Sequence, residues 1–567
     1  MFHKTEDQKG SFLEQTKAAR KERALEKQRE TACITIQAYV RGWLTRTKVT
    51  KTILDNFDAA LQDIPEDSTK PIHIPSHQVY KQVSRLAMVW KKERDKERFV
   101  KLCRYLVCSL DSESPKVSYV GVALNKDYVL KWITQMNDIL WKCCIYLKDL
   151  KLEFSSDSKQ AVLFLHVLVS FTSTNTWNVL KNKNMEMLKA GMNQLCANLM
   201  GQLFQKGFYL IMKDILVHGL GQIKITLKNV SLTAIITLSL RPLIAANFSD
   251  KLMTIFLIHI LSVPALIQHL GKLAPECVNN MVTHKIFTKS LELLSSQQSM
   301  RIVFNALEGN YALCLLANLL ELALIEKESS LKSLGVPSFV VVITGLLESC
   351  QNYVVNKQSN LTNWHPVLGW FAQPMDPALY SSIPYVKSQL HILWNSEITK
   401  IIFGDYLSEL VKDTESPQPP SPTKNTHFSG TFLKKVFENK GNRTNIQKNY
   451  RLLGSPEVQR IILICSLYHT ALNTLTQLQL DILTGLCYQN TLLHDLWLFL
   501  CSLGPNCGMK TFLDHLAINT KCSAPEFQML QLFCDCMTHY VTILDDMEMY
   551  EQQKSFKLTD FIVLSNF

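Results

Sequence analysis

Apolar residues along this chain recur at helical rather than strand spacing. Between residues 79 and 412, apolar clusters alternate with polar or Gly/Pro breaks, as at 139–150, 161–171, 232–243, 311–324 and 339–347. Strict apolar–polar alternation is almost absent, so β structure is expected to be marginal at most. Paired helices recurring every forty or so residues are the pattern of HEAT and armadillo solenoids, in which each unit buries its face only against its neighbours, and about eight irregular pairs fit before residue 412. The expected fold is all-α: a long N-terminal IQ helix followed by an irregular HEAT/armadillo-like α-solenoid.

Punctuation divides the chain into five parts. Residues 12–50 contain no Gly or Pro except Gly42 and mix Lys, Arg, Glu, Ala and Leu, the composition of one long exposed helix; this basic helical part is taken as 1–54. Pro65, Pro71 and Pro75 mark a linker over 55–78. The helical-repeat region spans 79–412. Residues 413–455 form a polar, Pro/Ser-rich stretch, expected to be disordered, that holds Ser416-Pro417, Pro419-Pro420 and Ser421-Pro422, too polar to pack into a core. Ser416 and Ser421 are candidate phosphorylation sites, with a plain spacer as the alternative. A second helical block covers 456–567.

Composition narrows the class. The chain has 567 residues, 47% of them hydrophobic, enough to bury a large core. Of its net charge of +11, the first fifty residues carry eleven Lys/Arg against six Asp/Glu, so the excess is partly local; charge alone does not choose among nucleic acid, anionic lipid and an acidic protein. The sixteen cysteines are scattered singly through apolar runs, as at Cys196, Cys314, Cys465 and Cys487, which suits reduced thiols in a cytoplasmic protein. Residues 1–10 lack the apolar core of a secretory signal. Residues 252–271 are long enough to span a bilayer, but they hold His259, Pro264, Gln268 and His269; a buried helical hairpin bent at Pro264 is expected instead, and no membrane span.

One motif carries a definite chemistry. Ile36, Gln37, Arg41, Gly42 and Arg46 fill every specified position of IQxxxRGxxxR, and Val49 supplies the apolar residue three further on. On a helix, Ile36, Val40, Trp43 and Leu44 fall on neighbouring faces and form an apolar strip able to enter a hydrophobic groove. Arg41, Arg46 and Lys48 lie beside it. Calmodulin-type lobes are acidic and methionine-rich, so an apolar anchor flanked by fixed positive charge suits both properties. Gln37 can bond backbone groups of a clasping lobe, and Gly42 permits close approach. The competing reading is an amphipathic helix docked on its own solenoid. Farther upstream, Lys17, Arg20, Lys21, Arg23, Lys27 and Arg29 alternate with Glu14, Glu22, Glu26 and Glu30, which favours helix support by i,i+4 pairs over nucleic-acid or lipid binding.

The remaining constellations are weaker. Cys534, Cys536 and His539, with Cys522 upstream, have the residue types of a metal cluster, but residues 534 and 536 point to different sides of a helix, so no metal is expected. His494-Asp495 sits in an apolar run, and Asp545, Asp546 and Glu548 read as a solvated helix face. No nucleophile elbow, P-loop, HExxH or dinucleotide fingerprint occurs; no cofactor and no catalytic residue are expected.

Particular strings point further. Arg241-Pro242-Leu243-Ile244-Ala245-Ala246, the run from Phe256 to Leu266, and the run from Ser359 to Phe371 containing Trp364-His365-Pro366-Val367-Leu368-Gly369-Trp370, together with the IQ motif, resemble the amino-terminal half of HECT-type ubiquitin-protein ligases that begin with an IQ motif. The resemblance extends to the last residues. It implies a regulatory and substrate-recruiting region that binds calmodulin and substrate proteins. In such ligases a carboxy-terminal domain carries ubiquitin as a cysteine thioester. No cysteine here follows that active-site pattern, so the expectation is a splice form, fragment or incomplete gene model, inactive alone and meeting a conjugating enzyme only through a full-length form. The alternatives are a calmodulin-regulated helical scaffold unrelated to ubiquitin and a HEAT-type transport receptor.

Overall fold

The computed structural model describes residues 4–64, 72–181, 183–221, 225–329, 331, 336–354, 363–370, 372–404, 407–408, 450–489, 491–504, 509–518, 524–553 and 556–565. Among them every regular element is a helix, and the extended backbone amounts to two isolated bridges, Val354 with Ala372 and His365 with Gly369. The all-α expectation is met. The chain forms two compact units. The first comprises Met1–Cys143 and Val162–Leu203, the second Cys144–Ala161 and Phe204–Phe567.

The first unit begins with α1 (Lys4–Ala60), which runs past the predicted end at residue 54 because Phe57, on its last turns, and Leu61, just beyond, are fully buried. Helix α2 (Ser76–Val89) packs against that base. It buries Val79, Tyr80, Val83 and Leu86, the i, i+1, i+4, i+7 stripe that a half-exposed helix presents to its core. Helix α3 (Lys96–Ser109), the first part of α4 (Val129–Asp149), the later part of α5 (Ser155–Phe171) and α6 (Lys189–Gln205) complete it. Aromatic rings fill its centre. Buried indoles need a partner for N–H: Trp132 Nε1 donates to the Tyr119 carbonyl at 3.1 Å, and Trp177 Nε1 to that of Ser170 at 2.8 Å.

In the second unit helices pack on chain neighbours, as Gln297–Ile325 does on Val336–Cys350, and also on helices farther along the chain, as Pro456–Thr474 does on Val336–Cys350 and on Pro525–Ile543. The order runs α7 (Phe208–Leu220), α8 (Asn229–Ala245), α9 (Asp250–Phe256), α10 (Leu266–Leu273), α11 (Pro275–Thr283), α12 (Ile286–Ser295), α13 (Gln297–Ile325) and α14 (Val336–Cys350). After α15 (Ile383–Leu390), the series resumes with α16 (Pro456–Thr474), α17 (Gln479–Cys487), α18 (Leu492–Ser502), α19 (Met509–Ile518), α20 (Pro525–Ile543) and α21 (Leu558–Ser565). Every residue of α13 from Ala312 to Leu320 is buried, because α10, α12, α14 and α15 cover it from several sides.

The hairpin expected at Pro264 is present. Helix α9 continues through a π turn to Leu261, breaks at 262–265 and bends by 76° into α10, with Ala265 forced to φ +53°. A helix broken in the core leaves carbonyls and amides without intrahelical partners. Asn318 of α13, itself fully buried, supplies them: its Nδ2 donates to the carbonyls of Leu261 (2.8 Å) and Val263 (2.7 Å), and its Oδ1 accepts from the Ile267 amide (3.0 Å). Among the described residues no single helix is long and apolar enough to cross a membrane, although three bent pairs reach that length and composition jointly.

A second irregular stretch, 363–370, is bolted down by a buried histidine. His365 and Gly369 exchange backbone hydrogen bonds at 3.1 and 2.8 Å. The His365 Nδ1 accepts from the amides of Val367 and Leu368 (3.2 and 3.0 Å), which leaves the proton on Nε2 to be donated to Asn310 Oδ1 at 2.9 Å. Burial drives the His365 pKa down to about 4. Gly369 has φ +91°, and a Cβ there would lie 2.4 Å from Thr476 Oγ1, so only glycine fits.

The IQ helix as candidate binding site

Helix α1 is continuous from Lys4 to Ala60, and no residue from Gly10 to Asn56 is buried. Its backbone hydrogen bonds close within the helix, and its charged side chains are distributed around it, so it can stand in water without a packed face. The chain from Thr31 to Leu54 contains Arg41, Arg46, Lys48 and Lys51 and no Asp or Glu. It is this acid-free window that holds the IQ motif.

The strip predicted from spacing is solvent-facing. Ile36 is 62% exposed, Val40 49%, Trp43 60% and Leu44 53%, values far above those of a helix docked on its own core. The docked alternative is therefore not the arrangement found. Gln37 lies along the helix with Nε2 3.8 Å from Cys33 Sγ. The Arg46 guanidinium folds back over Gly42, where an added Cβ would touch Nη1 at 3.4 Å. Arg41 is exposed, and at about 100° per residue it lies on the flank of the strip. Val49 is half-exposed, but nine residues from Val40 places it on the opposite face, so a ligand touching both must wrap the helix.

Tyr39 was missed by the sequence analysis. It is 73% exposed and stands three residues after Ile36 and four before Trp43, which extends the apolar strip sideways. The same helical periodicity that selected Ile36 and Trp43 would have found it; it was passed over because the motif does not specify that position.

The base of α1 is held by charge as well as by Phe57 and Leu61. Arg98 of α3 donates Nε to Asp58 Oδ1 at 3.0 Å and Nη2 to Asp58 Oδ2 at 2.7 Å, and turns Nη1 to Asp95 Oδ1 at 3.1 Å. The Asp95 carboxylate, wholly buried, also accepts from Arg94 (2.9 and 2.7 Å) and from the Lys91 amide (2.9 Å). Burial pushes the Asp95 carboxyl upward, but hydrogen bonds from Arg94 and the Lys91 amide, with the Arg94 and Arg98 charges, outweigh it and hold the pKa below the ordinary value. The Arg98 guanidinium is shifted upward, chiefly by its hydrogen bonds to Asp58.

The other candidates resolve as follows. Cys534 is exposed while Cys536 is buried, with its carbonyl accepting from Cys487 Sγ at 3.2 Å; His539 Nε2 meets Thr484 Oγ1 at 2.9 Å. Burial raises the Cys534 thiol pKa, and the Cys536 thiol is raised first by its hydrogen bond with Cys487 and then by burial. Cys522 lies outside the described residues, as do Ser416 and Ser421. His494 pairs with Asp560 at 3.3 Å, joining α18 to α21, and Asp495 accepts from Thr491 at the start of its own helix and from Ser408.

Comparison with known proteins agrees with this geometry. Residues 30–50 match the model of the IQ calmodulin-binding motif. The human protein named ubiquitin-protein ligase E3B is 41% identical over 578 aligned residues, and the mouse protein of the same name is 40% identical over 579; each alignment covers 100% of this chain and 53% of the relative. No solved structure matches the chain. Along its whole length the chain is thus similar to the curated ubiquitin-protein ligases E3B, and it spans about half the length of these relatives.

Proposed function

We propose that this chain is the regulatory and substrate-recruiting region of a HECT-type ubiquitin-protein ligase, and that it captures calmodulin through α1. The observation that carries the calmodulin half is the exposed strip Ile36, Val40, Trp43 and Leu44 inside an acid-free basic window that matches the IQ model. Open calmodulin-type lobes offer a methionine-rich groove with acidic surroundings, the complement of that strip. Val49 and Gln37 meet the part of the lobe that wraps the helix. The ubiquitin half is supported by the similarity to E3B ligases along the entire chain.

In this reading thioester chemistry belongs to the part of the relatives that this chain does not span, and a conjugating enzyme is met only through the full-length ligase. Substrate proteins dock on the helical units. The protein works in the cytoplasm, a reducing compartment that suits cysteines scattered singly through apolar runs. Ser416 and Ser421, each followed by Pro, are its candidate phosphorylation sites, with a plain spacer as the alternative.

The deciding experiment is calorimetry of calmodulin against the chain, with calcium and with a chelator, compared with the triple variant Ile36→Ala, Gln37→Ala, Arg41→Ala. Binding that vanishes in the variant is expected; equal binding by both would rule out the IQ helix as the site. For the ubiquitin half, the chain mixed with a charged conjugating enzyme should form no reducible ubiquitin adduct. Deleting the equivalent of residues 79–567 from the full-length human relative should abolish substrate ubiquitination, and undiminished ubiquitination would sink the recruiting role.

A further inference from the structure

The charge cluster at the foot of α1 has more members than a surface ion pair needs. Three segments converge there: Asp58 from α1, Asp95 and Arg98 from the start of α3, and the 89–94 connection, whose Lys91 amide and Arg94 side chain complete the shell around Asp95. Asp95 has no exposed side-chain surface. Arg98 engages Asp58 with both edges of its carboxylate while leaning on Asp95, the planar two-pronged geometry that fixes direction as well as distance. Above this point, from Gly10 to Asn56, no residue of α1 is buried. Phe57 and Leu61, with the packing of α2 on the base of α1, set how deep the helix sits, but apolar contact is non-directional and leaves its tilt loosely defined.

We propose that Arg98 is the positioning residue of the IQ helix: its fork between Asp58 and Asp95 sets the angle at which α1 leaves the first unit. A continuous helix rises about 1.5 Å per residue, so Trp43 stands about 22 Å along the axis from Asp58. A tilt of the base therefore moves the IQ strip by many ångströms. The significance of this rests on the calmodulin reading above. Calmodulin seated on 36–49 is then placed at a fixed position on the first unit, rather than tethered near it, and its contacts with the rest of the ligase are chosen by the clamp.

The test separates the clamp from the partner. In the full chain with Cys501, Cys507, Cys522 and Cys534 changed to Ser, spin labels go on Cys33 and on Met88→Cys, an exposed position at the end of α2, and pulsed dipolar spectroscopy reads the distance distribution. The wild-type distribution is expected to be narrow. In Arg98→Ala its width should roughly double, as for a rigid element released onto a hinge, while the melting temperature falls by only a few degrees because Asp95 keeps Arg94 and the Lys91 amide, and calmodulin affinity stays within about twofold because the strip itself is untouched. Arg98→Lys, which keeps the charge without the fork, should fall between. Should Arg98→Ala fail to fold, Asp58→Asn removes only the α1 side and leaves Asp95 with its other partners. An unbroadened distribution in these variants, or a wild-type distribution as broad as theirs, would overturn the proposal. A narrow-to-broad change with no calmodulin binding in any form would leave the clamp standing and remove calmodulin as what it positions.

Discussion

The IQ strip of α1 and the bent hairpin of α9 and α10 are both apolar stretches of helix, yet one lies in water and the other at the centre of its unit. Trp43 is 60% exposed, whereas Leu257, Ile260 and Leu261 are fully buried. The difference is in the backbone. Helix α1 is unbroken from Lys4 to Ala60, so it satisfies its own amides and carbonyls and asks nothing of its neighbours. The hairpin breaks at 262–265 and depends on Asn318 from α13 for three hydrogen bonds. The loop at 363–370 behaves like the hairpin, with His365 in the role of Asn318. A self-sufficient helix can be offered to a partner; irregular backbone has to be enclosed and served by buried polar side chains.

That contrast is open to attack at four points. The largest effect is expected from Asn318→Ala, which strands the Leu261 carbonyl and the Ile267 amide in the core and leaves the Val263 carbonyl with the Leu266 amide alone; at about 1–3 kcal/mol for each unsatisfied group, the loss should be on the order of 4 kcal/mol, measured by urea unfolding. A loss below about 1 kcal/mol would show that the break satisfies itself. Acid comes next. The folded-state pKa of His365 is about 4, below the unfolded value of about 6.5. Between those values the unfolded chain takes up a proton that the folded chain refuses, so stability is constant above pH 6.5 and falls as pH drops toward 4. The fall attributable to this residue is on the order of 3 kcal/mol. His365→Asn should flatten that part of the pH profile; an unchanged slope would place the acid sensitivity elsewhere.

Gly369→Ala adds a methyl group where φ is +91° and Thr476 Oγ1 stands at 2.4 Å, and should cost about 2 kcal/mol through strain and the displaced Thr476. The smallest effect sharpens the comparison most. Trp43→Ala, a large-to-small change that would cost about 3–5 kcal/mol in a core, should alter the stability of the chain by less than about 0.5 kcal/mol while weakening calmodulin capture. A clear loss of melting temperature in Trp43→Ala would mean that the indole is packed in solution.

Much of this was legible beforehand, for identifiable reasons. The helices follow from the spacing of apolar residues, and the bend at 262–265 from Pro264, whose ring denies the backbone a donor and a straight path. The exposed strip could be placed on one face from the positions of Ile36, Val40, Trp43 and Leu44, because a lone helix has no tertiary term to overrule its periodicity. Tyr39 belonged to the same pattern and was overlooked for want of a motif position. Three features were not legible. Asn318 and His365 read as ordinary polar interruptions of apolar sequence: the partners of Asn318 lie 51 to 57 residues away, and although His365 serves the nearby Val367 and Leu368 amides, the Asn310 side chain that fixes its proton on Nε2 lies 55 residues away. The Arg98 fork joins residues forty apart, and nothing in the local sequence distinguishes Arg98 from the other cations of that stretch.

The sequence by itself determined that the chain is helical, where its long first helix lies and which side chains of that helix can face a partner, because helical periodicity, Gly/Pro punctuation and the IQ spacing are local properties read within a few turns. The tertiary structure alone decided whether the strip is covered or exposed, which buried side chains serve the broken backbone, and how the foot of α1 is clamped. Those outcomes depend on contacts between residues remote in sequence, and the physical chemistry of a buried amide, imidazole or guanidinium is fixed by the neighbours that folding brings to it.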